Sequence, residues 1–250
     1  MYKVKSINQN GGFLRGSKNI IILLFLLLIG LSSCNLLLNI DTADFNDTER
    51  QYEVLSKYND DNVIYKTNSE FVYQVDIKSP LKDTSYFIVL KVIPGSLFDQ
   101  SKIKYKYYSN KNQLEKDSCN FWELTGLIEN PKLIWLHPPR SKMKELELSA
   151  FPEIQKNKGI IKKTWKSKIH TGSDWEEYKN ATISSIYNYE KDTTLIFNSN
   201  KYECSKIRAV STSKYGLVTT IHYFSNEIGF ININYIFDKK IIKFKLLTLK

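Results

Sequence analysis

In segment after segment of this chain the apolar side chains recur at every second position. Ile231, Ile233, Tyr235 and Phe237 alternate with Asn232, Asn234 and Ile236, and Ile242, Phe244 and Leu246 alternate with Lys243 and Lys245. Ile161, Trp165 and Ile169 are set among Lys162, Thr164, Lys166 and Lys168. A period of two puts one face of a strand in a core and the other in water, which a helix cannot do. Residues 71–77, 103–108, 182–189 and 217–224 have the same character, and residues 86–93 are so continuously apolar that they read as a central strand. Short Asn-, Asp- and Ser-rich joints connect many of them, as in antiparallel meanders. Helix signals are confined to residues 47–58 and 173–179, each behind a capping residue. The pattern predicts a mainly β fold of ten to twelve antiparallel strands, an antiparallel curled sheet or barrel-like domain with one or two short helices, since curling manages exposed strand edges.

The N-terminus has a different character. Lys3, Lys5, Arg15 and Lys18, with no acid among them, precede the apolar run 20–31, which ends in Leu31-Ser32-Ser33-Cys34. A basic start, a short greasy stretch and small residues before a cysteine resemble a bacterial lipoprotein signal peptide. The resemblance implies cleavage before Cys34, a diacylglycerol on its sulfur and usually a third acyl chain, an anchor that several chains make effectively permanent. The competing reading is an uncleaved membrane anchor over residues 20–40, although the continuous apolar part is only 12 residues, short of the roughly 20 that a span needs. Either reading puts the rest of the chain outside the cytoplasm, because the positive flank stays inside. The expected organisation is a signal peptide over 1–33, a lipidated cysteine and tether over 34–50, and a β-rich envelope domain over 51–250. Residues 39–50, with Asp41, Asp44, Asp47 and Glu49, are polar and unpatterned, as befits a tether. Residues 40–250 are expected to fold alone.

The formal charge of +10 falls once the signal segment is set aside: 32 of the 36 Lys and Arg remain against all 26 Asp and Glu, a net +6 for residues 34–250. Only Arg15, Arg50, Arg140 and Arg208 are arginines, and the lysines are dispersed along strand-like segments. Such dispersal in an envelope protein argues against a nucleic-acid partner.

A second resemblance rests on Trp135-Leu136-His137-Pro138-Pro139-Arg140, then Glu147-Leu148 and Phe151-Pro152-Glu153-Ile154, and later on Cys204, Ile207, Ala209, residues 224–230 and Tyr235. These are similar to a set of Bacteroidota envelope proteins without assigned function. The resemblance implies a secreted or lipid-anchored β-rich domain and carries no catalytic residues. Surface-exposed lipoproteins of that phylum usually have acids directly after the cysteine. Here Asn35-Leu36-Leu37-Leu38 follows, which favours the outer membrane's periplasmic side over surface display. Asp41-Thr42-Ala43 resembles the three-residue O-glycan acceptor signal of the same phylum and makes Thr42 a candidate glycosylation site. Asp192-Thr193-Thr194 fits the same pattern but reads as a tight turn between two strands, where access is poorer.

Little else points to chemistry. His137, His170 and His222 are far apart, without the paired spacing of a metal site. There is no G-x-S-x-G elbow, H-E-x-x-H pair or phosphate-binding glycine loop, so no cofactor or metal is expected. The best local candidate for ligand binding is Trp135, His137 and Arg140, where two prolines fix the backbone and an arginine stands in a lysine-rich chain. The plainer alternative pairs Arg140 with Glu145 or Glu147. Trp122, Trp135, Trp165 and Trp175 serve either a core or a ligand-lined cavity. Cys119 and Cys204 are left as a possible disulfide in an oxidising envelope, or Cys204 is a small buried apolar residue. The leading function is a non-catalytic, membrane-anchored envelope lipoprotein with a binding, carrier or assembly role and an apolar or glycan ligand. The alternative is an envelope hydrolase acting on glycan or lipid.

Overall fold

Among the described residues the alternation becomes thirteen strands in one curled antiparallel sheet, a half-barrel. The computed structural model describes residues 62–97, 100–155, 160–166, 178 and 181–250. Cys34, Thr42, the helices expected over 47–58 and 173–179, His170, Trp175 and the side chain of Trp165 lie outside the described residues. The strands are β1 (Glu70–Lys78), β2 (Thr84–Leu97), β3 (Gln100–Tyr108), β4 (Phe121–Glu129), β5 (Leu133–Leu136), β6 (Glu153–Gln155), β7 (Ile161–Lys166), β8 (Thr182–Tyr189), β9 (Thr193–Phe197), β10 (Asn200–Ser213), β11 (Gly216–Ser225), β12 (Gly229–Ile236) and β13 (Ile241–Leu249). Their order across the sheet is β6-β5-β4-β3-β2-β1-β13-β12-β11-β10-β8-β7, with β9 paired to β10. One meander runs outward from β1 to the edge at β6. A second starts at the opposite edge, β7, and returns to β13, which closes on β1 in the middle of the sheet.

Each strand's register follows its side-chain period. Ile103, Tyr105 and Tyr107 of β3 are buried while Lys102, Lys104 and Lys106 face outward. Ile242, Phe244 and Leu246 of β13 are buried and Lys243 and Lys245 exposed. Shifting either strand by one residue would bury a row of lysines. One like-charge pair does occur on the outer face, Lys91 opposite Lys104. It is offset on both sides: Lys91 meets Glu70 at 2.8 Å, and the Lys104 ammonium sits 4.1 Å from the ring centre of the half-exposed Trp122. The β9–β10 turn is two residues, Asn198 and Ser199, both with positive φ, the geometry that suits a hairpin's twist. Gly229 has φ +81°, and a Cβ there would lie 2.6 Å from the Tyr65 hydroxyl, so glycine is required on both counts.

Strand β2 is apolar on both faces for a local reason. Its outward Val89 is covered by a short helix, α1 (Lys111–Glu115), capped by the Asn110 side chain on the Gln113 N–H at 3.0 Å. Val72, Val89 and Tyr108 cluster there with Phe87, Leu114 and Cys119. Five residues carry too little periodicity to announce such a helix.

The main core fills the hollow of the curl. Strands contribute Phe71, Tyr73, Ile88, Leu90, Ile103, Leu127, Ile233 and Phe244, and residues 137–152 add Met143, Leu146 and Ala150 from the inside. This segment, with a 3-10 turn at Lys144–Leu148, plugs the half-barrel. Tyrosines of opposite walls hold its two ends: the Tyr105 hydroxyl donates to the His137 carbonyl at 2.8 Å, and the Tyr187 hydroxyl to the Phe151 carbonyl at 3.1 Å. The register shifts between Tyr223 and Phe224, so that Ile231 has no opposite residue and Phe224 faces Phe230. The Phe230 N–H donates to the Tyr65 hydroxyl at 3.1 Å and its carbonyl accepts from Tyr73 at 2.8 Å. A buried peptide group left unpaired would cost about 1–3 kcal/mol.

Candidate functional site

The plug is held by charged groups that have left water. Glu123 of β4, buried on the inner face, accepts from the Arg140 and Ser141 backbone N–H groups at 3.0 Å each, from the Ser141 hydroxyl and from the Tyr107 hydroxyl. Burial pushes its carboxyl above the ordinary range, and those donors hold it back. Arg140 forms a buried ion pair with Glu147. Burial lowers the guanidinium to about 10 while the neighbouring carboxylate raises it. The Glu147 carboxyl is pushed up by the same burial and drawn down by Arg140. Lys240, in the β12–β13 turn, adds a partly exposed contact to Glu145 of the 3-10 turn.

Trp135, His137 and Arg140 therefore all sit in the buried interior. The His137 ring packs 5.6 Å from Trp135 and 4.9 Å from Phe151, centre to centre, and its Nδ1 lies 2.9 Å from the Pro138 carbonyl. Its Nε2 meets no protein partner among the described residues, and burial lowers its pKa to about 4. His222 of β11 is more extreme. Both ring nitrogens lack a protein partner among the described residues, and burial lowers its pKa to about 3. Cys119 lies in the outer cluster and Cys204 in the main core, both as free thiols. Among the described residues no group of three His, Cys, Asp or Glu side chains is placed to hold a metal ion, and no helix is long and apolar enough to cross a membrane.

The open site is a cleft of about 800 Å³ at one end of the half-barrel. Ile134 of β5, Ile154 of β6 and Phe224 of β11 form its apolar floor, with Ile64 and Val63 from the segment leading into β1. Its rim carries Glu129, Asp192 and Glu203, and no lysine or arginine lines it among the described residues. Glu129 is committed to structure. Its Oε1 accepts from the Val63 and Ile64 N–H groups at 3.0 and 2.9 Å, and its Oε2 from Tyr65 at 2.9 Å. The chain is thus pinned to the rim just before β1. Asn130 sets the adjoining β4–β5 turn by accepting from the Lys132 and Leu133 N–H groups, both at 2.9 Å. Glu203 accepts from the Thr194 hydroxyl at 2.9 Å.

No protein-family model and no curated protein matches the chain. Among solved structures it is similar to a protein from Bacteroides fragilis described as exported and of YmcC-like fold, at 10% identity and a TM-score of 0.42, over 75% of this chain and 97% of that one. It is also similar to the lipoprotein YmcC of Escherichia coli, at 12% identity and a TM-score of 0.35, over 80% of this chain and 96% of that one. A third is described as a lipoprotein of Parabacteroides distasonis, at 11% identity and a TM-score of 0.35, over 75% and 97% of the two chains.

Proposed function

We propose that this chain is a non-catalytic envelope lipoprotein, anchored by lipid on Cys34 at the outer membrane and facing the periplasm, whose domain binds an apolar-bodied ligand in the cleft. The observation that carries the binding reading is the cleft itself: Ile134, Ile154 and Phe224, largely buried, at its base, with Glu129, Asp192 and Glu203 around its rim. Concave sites of this size with mostly apolar walls and a few polar groups are the usual form of ligand sites. The buried titratable side chains support a holding role over a chemical one, because Glu123, Arg140 and Glu147 are spent on fixing the plug.

Two measurements test the reading. Intact mass of membrane-extracted protein should show a diacylated chain beginning at Cys34, and Cys34→Ala should leave the full precursor. A processed chain without lipid refutes the anchor. Native mass spectrometry of the same material should show an amphiphile that is removed by Ser205→Trp, a substitution that fills the cleft from its β10 wall, where Ser205 lines it. Equal ligand content in the two proteins refutes the cleft as the binding site. Peptide mapping of protein from its native host should find a sugar on Thr42.

A further inference from the structure

We propose that the end of the half-barrel opposite the cleft is a docking surface for an anionic phospholipid bilayer. Three hairpin turns form that end. In the sheet order β2-β1-β13-β12-β11-β10, the β1–β2, β12–β13 and β10–β11 turns are adjacent and lie at the same end of their strands. Six strands about 4.8 Å apart set them in a row of about 24 Å. The cleft takes its residues from the β4–β5 turn, the β8–β9 connection and the β11–β12 turn, at the other end of the sheet.

Large apolar side chains stand on two of these turns with nothing packed against them. Leu81 is 97% exposed, Leu217 63% and Tyr215 42%. The polar residues beside them are spent on the turns. The Ser79 N–H donates to the Asp83 carboxylate at 3.3 Å, the Ser79 hydroxyl to the Lys82 carbonyl at 2.9 Å, and the Tyr215 N–H to the Ser213 hydroxyl at 3.1 Å. Cations surround the apolar tips. Lys78, Lys82, Lys214 and Lys239 are exposed on the same turns and their flanks. Lys142 lies over the Tyr107 and Phe121 rings at this end, 5.4 and 5.3 Å from their centres. None of these five makes an ion pair among the described residues. Against them the three turns expose only Asp238 and the turn-bound Asp83. A single exposed leucine needs no explanation, but a row of apolar tips among unpaired lysines marks an interaction site.

The two chemistries together fit a lipid surface. Unpaired lysines meet headgroup phosphates, and leucine and tyrosine suit the boundary between headgroups and acyl chains. A protein partner would need a contiguous patch of about 800 Å² on each side. Projecting turn tips are instead separate points, which a fluid headgroup layer can close around. Docked in this way, the domain turns its cleft away from the bilayer that the turns touch. The docking end goes beyond the ligand reading and requires neither a ligand nor lipid on Cys34.

Position-resolved quenching in the full chain tests the proposal. The chain is reconstituted into vesicles of phosphatidylethanolamine and phosphatidylglycerol that carry nitroxide-labelled acyl chains. An environment-sensitive fluorescent amino acid at Leu81 or Leu217 should be quenched several-fold more than the same probe at Ile196, which is 72% exposed on β9 at the cleft end. Exchanging phosphatidylglycerol for phosphatidylcholine should remove most of that difference. So should Lys82→Glu, Lys214→Glu and Lys239→Glu combined, since each lysine near an anionic surface is worth about fivefold in binding. The urea midpoint of the triple variant should match that of wild type, which separates lost docking from lost folding. Equal quenching at positions 81, 217 and 196 would overturn the proposal. So would stronger quenching at 196, which would turn the cleft towards the membrane, or quenching that ignores phosphatidylglycerol. A probe at position 81 that shifts to the blue without being quenched would overturn it too, by making a protein the occupant.

Discussion

His222→Phe should make this protein markedly more resistant to mild acid. The imidazole lies in the core, with ring centres of Tyr187 and Phe230 at 6.5 and 6.0 Å and no protein partner for either nitrogen among the described residues. Burial lowers its pKa from 6.5 to about 3. Between those values the unfolded chain binds a proton that the folded chain refuses, so stability falls as pH falls. The cost is small at pH 7 and reaches about 2 kcal/mol at pH 5, from RT ln(1 + 10^(pKa − pH)) with the unfolded pKa. His137, lowered to about 4, loses a similar amount over the same window. Glu123 works in the opposite direction: its raised carboxyl favours the protonated fold and gains stability as pH falls. These other groups are common to wild type and variant, and any misfit of the larger phenyl ring is the same at both pH values. The difference between the two proteins should therefore grow by about 2 kcal/mol from pH 7 to pH 5. With a slope of about 2 kcal/mol per molar urea, that is a midpoint difference about 1 M wider at pH 5. Urea titrations followed by tryptophan fluorescence measure it. Parallel pH dependences in the two proteins would refute a neutral, unpartnered His222 in the core.

Other perturbations address the plug and the sheet. Glu123→Ala strands the buried Arg140 N–H and Tyr107 hydroxyl, at about 1–3 kcal/mol each, and Glu123→Gln should fall between it and wild type in the same urea assay. Arg140→Met should cost about 3–5 kcal/mol by leaving Glu147 buried and unpaired with its guanidinium, whereas Arg140→Met with Glu147→Leu should recover most of it; a double variant no better than the single one would contradict the ion pair. Ile233→Asp, which puts a charge on the inner face of β12, should cost several kcal/mol or prevent folding. Asn232→Asp, outward and opposite Lys245, should change the thermal midpoint by little or raise it slightly.

How much could be read from the chain depends on the range of the forces involved. Strands β8, β12 and β13 were legible because alternation is local and each buries one face: Ile183, Ser185 and Tyr187 of β8 turn inward and Thr182, Ser184 and Ile186 outward. The sequence pattern suggests ten to twelve strands, and thirteen are found among the described residues, since segments as short as β6, three residues, carry no period of their own. The plug was not legible. Residues 137–152 have prolines, acids and apolar residues in no repeat. Their burial comes from distant partners, Tyr105, Glu123 and Tyr187. Glu147 was legible as a candidate partner of Arg140, and the two form an ion pair, but nothing nearby in the sequence marks it or Glu123 as buried. The cleft draws its walls from several separated segments, so its floor of Ile134, Ile154 and Phe224 has no sequence signature beyond ordinary core residues. The candidate trio Trp135, His137 and Arg140 drew notice through the prolines between them, and those same prolines, which line one small cavity with Tyr73, Tyr105 and Tyr235, lead the chain into the half-barrel.

The seam between β1 and β13 sets the order in which this protein can be completed. A chain delivered across a membrane from its N-terminus presents β1 to β6 first, and β1 then has one side paired with β2 and the other bare. Its partner is the final strand described, so Phe71, Val75 and Ile77 wait for Leu249, Phe244 and Ile242 through the whole of the second meander. A naked apolar edge is the structure most prone to recruit a neighbouring chain, and pairing so remote in sequence is slow. The fold thus imposes an interval of vulnerability on any chain that emerges N-terminus first. A product cut short before β13 would keep that edge permanently and should be found in aggregates or degraded, while a circular permutant opened between β6 and β7 would synthesise the seam as a neighbouring hairpin and escape the wait.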